Sequence, residues 1–197
     1  LCDARDMLLI ADEVWTGCGR TGRYFGHQLW TTVGGEPDIM TLGKGVGGGL
    51  AVGVMCASER VAATFDPANN GGVVKHATTL GGNCVAMAVT AKVFEVIERD
   101  RLHEHAEALG THAMQRLERF RAAHPEADIV DVRGRGLFFG VRLGAKHAAG
   151  DVVKRCMARG LLVGSAQDNV VRLAPPLVVT RGELDEGLSI LEDVLVG

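Results

Sequence analysis

The placement of glycine constrains this chain more than any other feature. Of its 197 residues 27 are glycine, gathered at 17–26, 34–35, 43–53, 71–72, 81–82 and 134–140. In the first half they leave apolar runs too short for helices. The runs end in loops whose backbone can approach a neighbour closely. Residues 8–11, 39–42 and 52–56 therefore read as short buried strands. Continuous apolar runs of this kind suit a sheet covered on both faces. Residues 83–99 change period: Val85, Val89, Val93 and Val96 share a helical stripe, with Asn83 as the N-cap.

The second half has a different rhythm. A helix over 102–123 ends before His124-Pro125. Strands are expected at 129–132 and 137–143, joined by the turn at 133–136. A helix over 151–159 comes next, then strands at 161–164 and 170–173. A closing helix starts near Thr180, with Glu183 completing a capping box. Two strands, a helix, two strands and a helix make a small α+β unit. The expectation is an α/β chain in two parts, 1–105 and 106–197.

Charge and cysteine usage narrow the function. Net charge is −3 and the pI near 6.2, so no basic excess points to nucleic acid or to an anionic membrane. No apolar run approaches the roughly 20 residues of a membrane span. The opening "LCDARDMLLIADE" is too acidic for a signal peptide. Five scattered cysteines without a C-x-x-C argue for reduced thiols and a cytoplasmic location. His103 and His105, two apart on a helix, point to different faces, so no metal site is expected.

Gly17, Gly19 and Gly22 spell G-x-G-x-x-G. A dinucleotide loop needs its first glycine at the strand end and a helix opening at its last. Here Asp12 to Thr16 intervene, and Gly26, Gly34-Gly35 and Pro37 interrupt the stretch beyond Gly22. The acid before the glycines is the better lead. Asp12 closes an apolar strand, where open α/β sheets place their ligands. In an extended segment Asp12 and Val14 share one face, Glu13 and Trp15 the other. A carboxylate beside a branched apolar group suits a flat, cationic heteroaromatic ring. The alternative for Asp12 is a structural ion pair with Arg20 or Arg23.

Lysine is scarce: Lys44, Lys75, Lys92, Lys146 and Lys154 are the full set. Lys44 stands out because it comes after a strand and sits among glycines, "TLGKGVGGGL". An amine held out of bulk water can act as a nucleophile. An acid at one strand end, a lysine at another and glycine loops between them suggest pyridoxal phosphate. That cofactor takes a covalent lysine and an acidic partner for its ring nitrogen.

These residues carry a resemblance. "LLIADEVWTGCGRTGRYFGHQ…PDIMTLGKGVGGGLAVGVM" resembles the class III pyridoxal-phosphate-dependent aminotransferases, with the acetylornithine and ornithine enzymes nearest. The resemblance runs from Leu1 to about Leu195 and covers the C-terminal half of such an enzyme. It implies a fold-type-I transferase: the C-terminal part of the large cofactor domain (1–105), then the small C-terminal α+β domain (106–197). It implies Lys44 as the covalent lysine, Asp12 as the ring-nitrogen partner and Val14 on the ring face. "HATTLGGN" resembles the phosphate segment, so Thr79 would serve the cofactor of a neighbouring subunit in a homodimer. "VVRLAPPLV" resembles the carboxylate-binding motif, making Arg172 the substrate clamp.

The implied reaction moves an amino group from acetylornithine or an ornithine-like amino acid to 2-oxoglutarate, as in arginine biosynthesis. Other expectations within reach are a 4-aminobutyrate, diamine or alanine–glyoxylate enzyme, or a non-catalytic fragment or paralogue that keeps the fold. The sequence departs from the family at Trp15, where glutamine is common, at Leu80 for phenylalanine, at Cys84 for proline, and at Lys75. These changes bear on cofactor tuning and substrate choice. The phosphate loop and second stacking residue of the family lie outside the matched half, so these 197 residues alone are expected to be inactive.

Overall fold

The computed structural model describes residues 1–30, 35–167 and 169–197. Gly34, part of one glycine cluster, lies outside the described residues. The chain forms two compact units. The first holds residues 1–18 and 23–101; the second holds 102–197 together with 19–22.

The first unit is built on a three-stranded sheet: β1 (Ile10–Asp12), β2 (Ile39–Leu42) and β3 (Val54–Ala57), in that order. β1 and β2 are parallel, with Asp12 opposite Thr41, while β2 and β3 are antiparallel. A short helix, α1 (Glu59–Ala62), leads towards the exposed stretch before α2 (Cys84–Arg99). Asn83 caps α2 as its sequence requires, its side chain accepting the N–H of Ala86. Val89 and Val93 of that helix close on Gly48, where an added Cβ would lie 3.0 Å from each. The sheet differs from expectation in bounds and in cover: the strands expected at 8–11 and 52–56 run over Ile10–Asp12 and Val54–Ala57. Its apolar strands are not covered on both faces, since Ile10 is 59% and Met55 54% exposed. Three strands and one long helix do not supply two covering layers.

The second unit has four strands in the order β4-β5-β7-β6: β4 (Ile129–Arg135), β5 (Phe138–Leu143), β6 (Gly164–Ala166) and β7 (Val170–Leu173). All neighbouring pairs are antiparallel. Helices α3 (Leu102–Ala123), α4 (Ala149–Ala158) and α5 (Arg181–Val196) contribute to a single core. Leu117, Val141, Val152, Val171 and Leu191 are almost fully buried there. α5 opens with the expected capping box between Thr180 and Glu183. Several boundaries move: α4, expected over 151–159, runs over Ala149–Ala158, and β5 starts at Phe138 and not at Leu137. β4 runs on to Arg135, because the hairpin tightens to Gly136-Leu137, with Gly136 at φ +53°. Residues 161–163 are not strand: Leu161 and Val163 pack on the core, and pairing with β7 starts only at Gly164.

Gly19–Gly22 reaches this unit as a strap. Leu137 N–H donates to the Arg20 carbonyl at 2.9 Å. The Arg20 guanidinium donates to the carbonyls of Leu137 and Pro175. Glycines make the approach possible. A Cβ on Gly136 would lie 2.5 Å from the Arg20 carbonyl oxygen, and one on Gly110 only 2.1 Å from that of Gly136.

Candidate active site

Asp12 ends β1, and Lys44 lies two residues past the end of the parallel neighbour β2. Because the register sets Asp12 opposite Thr41, both functional groups belong to the same, carboxyl edge of the pair. Open α/β sheets bind ligands at that edge. Asp12 Oδ1 accepts the N–H of Val14 at 3.0 Å and the Thr41 hydroxyl at 3.5 Å. These two bonds turn the carboxylate at the strand tip. The Val14 side chain lies against Gly43, where an added Cβ would meet its Cγ1 at 3.4 Å. The geometry therefore gathers Asp12, Val14 and Lys44 on one strand edge.

Lys44 has unusual backbone geometry. Its φ is +51°, a left-handed conformation rarely taken by a residue with a Cβ. Gly43 before it is extended, and Gly45 after it has open space where a Cβ would stand. Non-glycine residues held in this region cost of order 1–3 kcal/mol and concentrate at ligand sites. The Lys44 ammonium lies over the Trp15 ring, 4.8 Å from its centroid. Strict alternation along an extended chain does not locate Trp15. The strand stops at Asp12 and the chain turns, with Gly17 N–H donating to the Glu13 carbonyl at 2.9 Å.

Glu13 is the residue that sequence reasoning passed over. Its side chain is 2% exposed and receives hydrogen bonds from the Thr16 hydroxyl, Gly26 N–H (2.8 Å) and His27 N–H (2.6 Å). His27 Nδ1 lies 3.1 Å from Oε1. Burial alone pushes this carboxyl up, but the hydrogen bonds from Thr16, His27 and Gly26 outweigh it and hold it below the usual range. Glu13 thus pins the 13–27 loop that carries Val14 and Trp15. Acid with threonine three residues on was the available signal, and it reads equally well as an exposed turn. The glycine string has a structural use here as well. A Cβ on Gly17 would lie 2.8 Å from the Glu13 carbonyl oxygen, and one on Gly22 would lie 2.9 Å from the Glu107 Cβ. A 3-10 turn at Gly26–Leu29 comes next, where a dinucleotide loop would open an α-helix. Arg20 is engaged within the second unit, where its guanidinium donates to the Leu137 and Pro175 carbonyls.

Three of the other four lysines are occupied differently. Lys92 pairs with Glu95, Lys154 with Asp151, and Lys146 Nζ donates to the Glu126 carbonyl. Thr79 sits in the exposed stretch before α2, apart in sequence from the Asp12–Lys44 edge. Arg172 belongs to the second unit. Val171 and Leu173 face the core, so Arg172 takes the opposite face of the sheet. Its cross-strand neighbours are both glycines, Gly140 and Gly164. A Cβ on Gly164 would stand 3.3 Å from Nη2, so the guanidinium lies across that glycine. His105 Nε2 meets the Val179 carbonyl at 2.8 Å, and no group of three metal-ligating side chains exists among the described residues. An apolar hollow of about 260 Å³ beneath Pro175-Pro176 holds one carboxylate, Glu183, already used in the α5 cap.

A carboxylate and an amine thus lie at adjacent parallel strand ends, with an isopropyl group against the intervening glycine. The chain belongs to the class III aminotransferases: the family's sequence model (Aminotransferase class-III) matches residues 1–195. The fold is that of the fold-type-I pyridoxal-phosphate-dependent transferases. Among curated proteins, the chain is 40% identical over 195 residues to the acetylornithine aminotransferase of Caldanaerobacter subterraneus, covering 99% of this chain and 46% of that one. Among solved structures it is similar to the acetylornithine aminotransferase of Elizabethkingia anophelis (TM-score 0.85, 31% identity, 99% of this chain, 47% of that one). It is also similar to the Toxoplasma gondii ornithine aminotransferase, whose active site holds PLP at partial occupancy (TM-score 0.87, 29% identity, 99% and 44%). The chain thus spans under half the length of these relatives, and the open faces of its first sheet are consistent with that.

Proposed function

We propose that this chain belongs to a pyridoxal-phosphate-dependent aminotransferase that takes its amino group from acetylornithine or an ornithine-like amino acid and passes it to 2-oxoglutarate. Residues 1–105 are then the C-terminal part of the large cofactor domain, and 106–197 the small domain. The observation that carries the reading is the parallel register of β1 and β2, which sends Asp12 and Lys44 to one edge. The names of the relatives supply the choice of substrate.

Pyridoxal 5′-phosphate, when bound, supplies an aldehyde that captures amines and a ring that takes up electrons from the substrate carbon. Lys44 would hold that cofactor covalently, and its Nζ, when free, would move a proton to and from the carbon bearing the substrate amine. Asp12 would accept the ring N–H and keep that nitrogen charged. Its two local hydrogen bonds fix the carboxylate before any ligand arrives. Val14 packs on the ring face. Arg172 pairs with the substrate carboxylate in the two-point geometry that suits a guanidinium. The enzyme works as a homodimer in which Thr79 anchors the phosphate in the neighbouring subunit.

Borohydride reduction of the full-length protein with its cofactor, and then peptide mapping, tests this. The pyridoxyl group is expected on Lys44. A label on Lys75 would overturn the assignment.

A further inference from the structure

We infer that Trp15 is a positioning residue for Lys44, the seat on which the lysine's ammonium rests whenever its amine has no covalent partner. The inference rests on Lys44 being the cofactor lysine. It starts from an observation that role does not require: Nζ lies 4.8 Å from the indole centroid. Trp15 comes from the loop after β1 and Lys44 from the turn after β2, so the contact bridges the two strand ends of the site.

A lysine needs such a seat here. Four rotatable carbons separate the ammonium from the backbone, and side-chain order of this kind costs about 2 kcal/mol in freedom. Lys44 is exposed, and the glycine beside it offers no wall: a Cβ on Gly45 would meet nothing within 4 Å. Its left-handed φ of +51° fixes the direction in which the side chain leaves, and the indole face then receives the far end. Trp is the aromatic with the strongest attraction for a cation. The seat is selective in time as well. It attracts the ammonium and loses most of its hold on a neutral amine, so it keeps the free lysine over the loop after β1 without locking the reactive form.

The seat makes a prediction about chemical labelling, because acylation requires a neutral, unheld amine. In the full-length protein with its cofactor removed, Trp15→Leu should let a small acylating reagent modify Lys44 about two- to five-fold faster, the size of an exposed cation–π contact. Trp15→Phe, which keeps a weaker aromatic face, should fall between. Reductive methylation of the unsubstituted protein gives a second readout that needs no Trp15 variant. The methyl signals of Lys44, assigned by their loss in Lys44→Arg, should be shifted upfield by the indole ring current. Equal labelling rates in the three proteins, or unshifted methyl signals, would overturn the inference. The parent reading fails differently: added pyridoxal phosphate would then leave Lys44 of the unsubstituted protein unprotected from the reagent.

Discussion

The carboxylate of Glu13 draws the hydroxyl of Thr16 and the N–H groups of Gly26 and His27 onto one buried point. Glu13→Gln puts an amide donor where one oxygen accepted, leaving a buried N–H without an acceptor. The expected cost is about 1–3 kcal/mol, read as a lower melting temperature. The pH dependence arises from the same bonds. Its carboxyl titrates lower in the folded than in the unfolded chain, so the stabilisation is complete above the ordinary glutamate value. It is lost as pH falls through the folded one. Melting curves collected down through the acid range should show this loss in the unsubstituted protein and a flatter profile in Glu13→Gln. On the other unit, Arg172→Ala should act on substrate binding. A charge-assisted pair is worth roughly 1.5–3 kcal/mol, so KM for a carboxylate substrate should rise about 10- to 100-fold. Unchanged kinetics would remove Arg172 from the site.

Element packing in the second unit depends on how closely backbones approach. The strap at Gly19–Gly22, the β4–β5 turn and α3 meet through Gly136 and Gly110, and neither position leaves room for a methyl group. Gly136 also has φ +53°. Gly136→Ala therefore forces either a backbone shift or loss of the Leu137–Arg20 bond, at an expected cost of about 1–3 kcal/mol or more. Gly182→Ala is the control. It lies in the first turn of α5 with nothing within 4 Å of the added carbon, and should be neutral or stabilise by about 0.5 kcal/mol. Equal melting temperatures for the two variants would refute the close-approach argument. α3 and α5 are joined by charge as well: Arg116 binds Glu192, Asp185 and Ser189, and His112 binds Asp185. The hydrogen bond to Glu192, foremost, then the Asp185 contact offset the effect of burial and keep the Arg116 guanidinium above its usual range.

At the scale of the molecule, the two units differ in how fully they enclose their apolar residues. The second has one continuous core drawn from three of its four strands and three helices. The first leaves Leu8, Leu9, Ile10, Met55, Val73, Val74 and Leu80 exposed. Apolar surface of this extent favours association. These 197 residues, expressed alone, are expected to self-associate on size-exclusion chromatography and not to transaminate. A reactive group about 1 Å out of place can lose some 100-fold in rate, and Asp12, Val14 and Lys44 line only one side of the proposed cage. Turnover of acetylornithine and 2-oxoglutarate by that preparation at roughly 1 per second or faster would overturn this expectation.

Much of this architecture is local and was therefore legible in the sequence. Asn83 and Thr180 cap helices with bonds spanning three residues. The alternation of Val171, Arg172 and Leu173 decides which side chain leaves the core. Asp12 and Lys44 advertise themselves by ending apolar runs. Other features depend on segments far apart in sequence and were settled only by tertiary structure. Parity gave out at Glu13, where the chain turns, so the meeting of Trp15 with Lys44, 29 positions on, had no sequence signal. Glu13 looks no different from any exposed acid until Gly26 and His27 fold back onto it. The glycine string also reads alike for a nucleotide loop and for a strap. Part of its meaning was fixed by Glu107, more than 80 residues on, which leaves no room for a Cβ at Gly22, and by Gly136, whose own Cβ would meet the Arg20–Gly22 backbone.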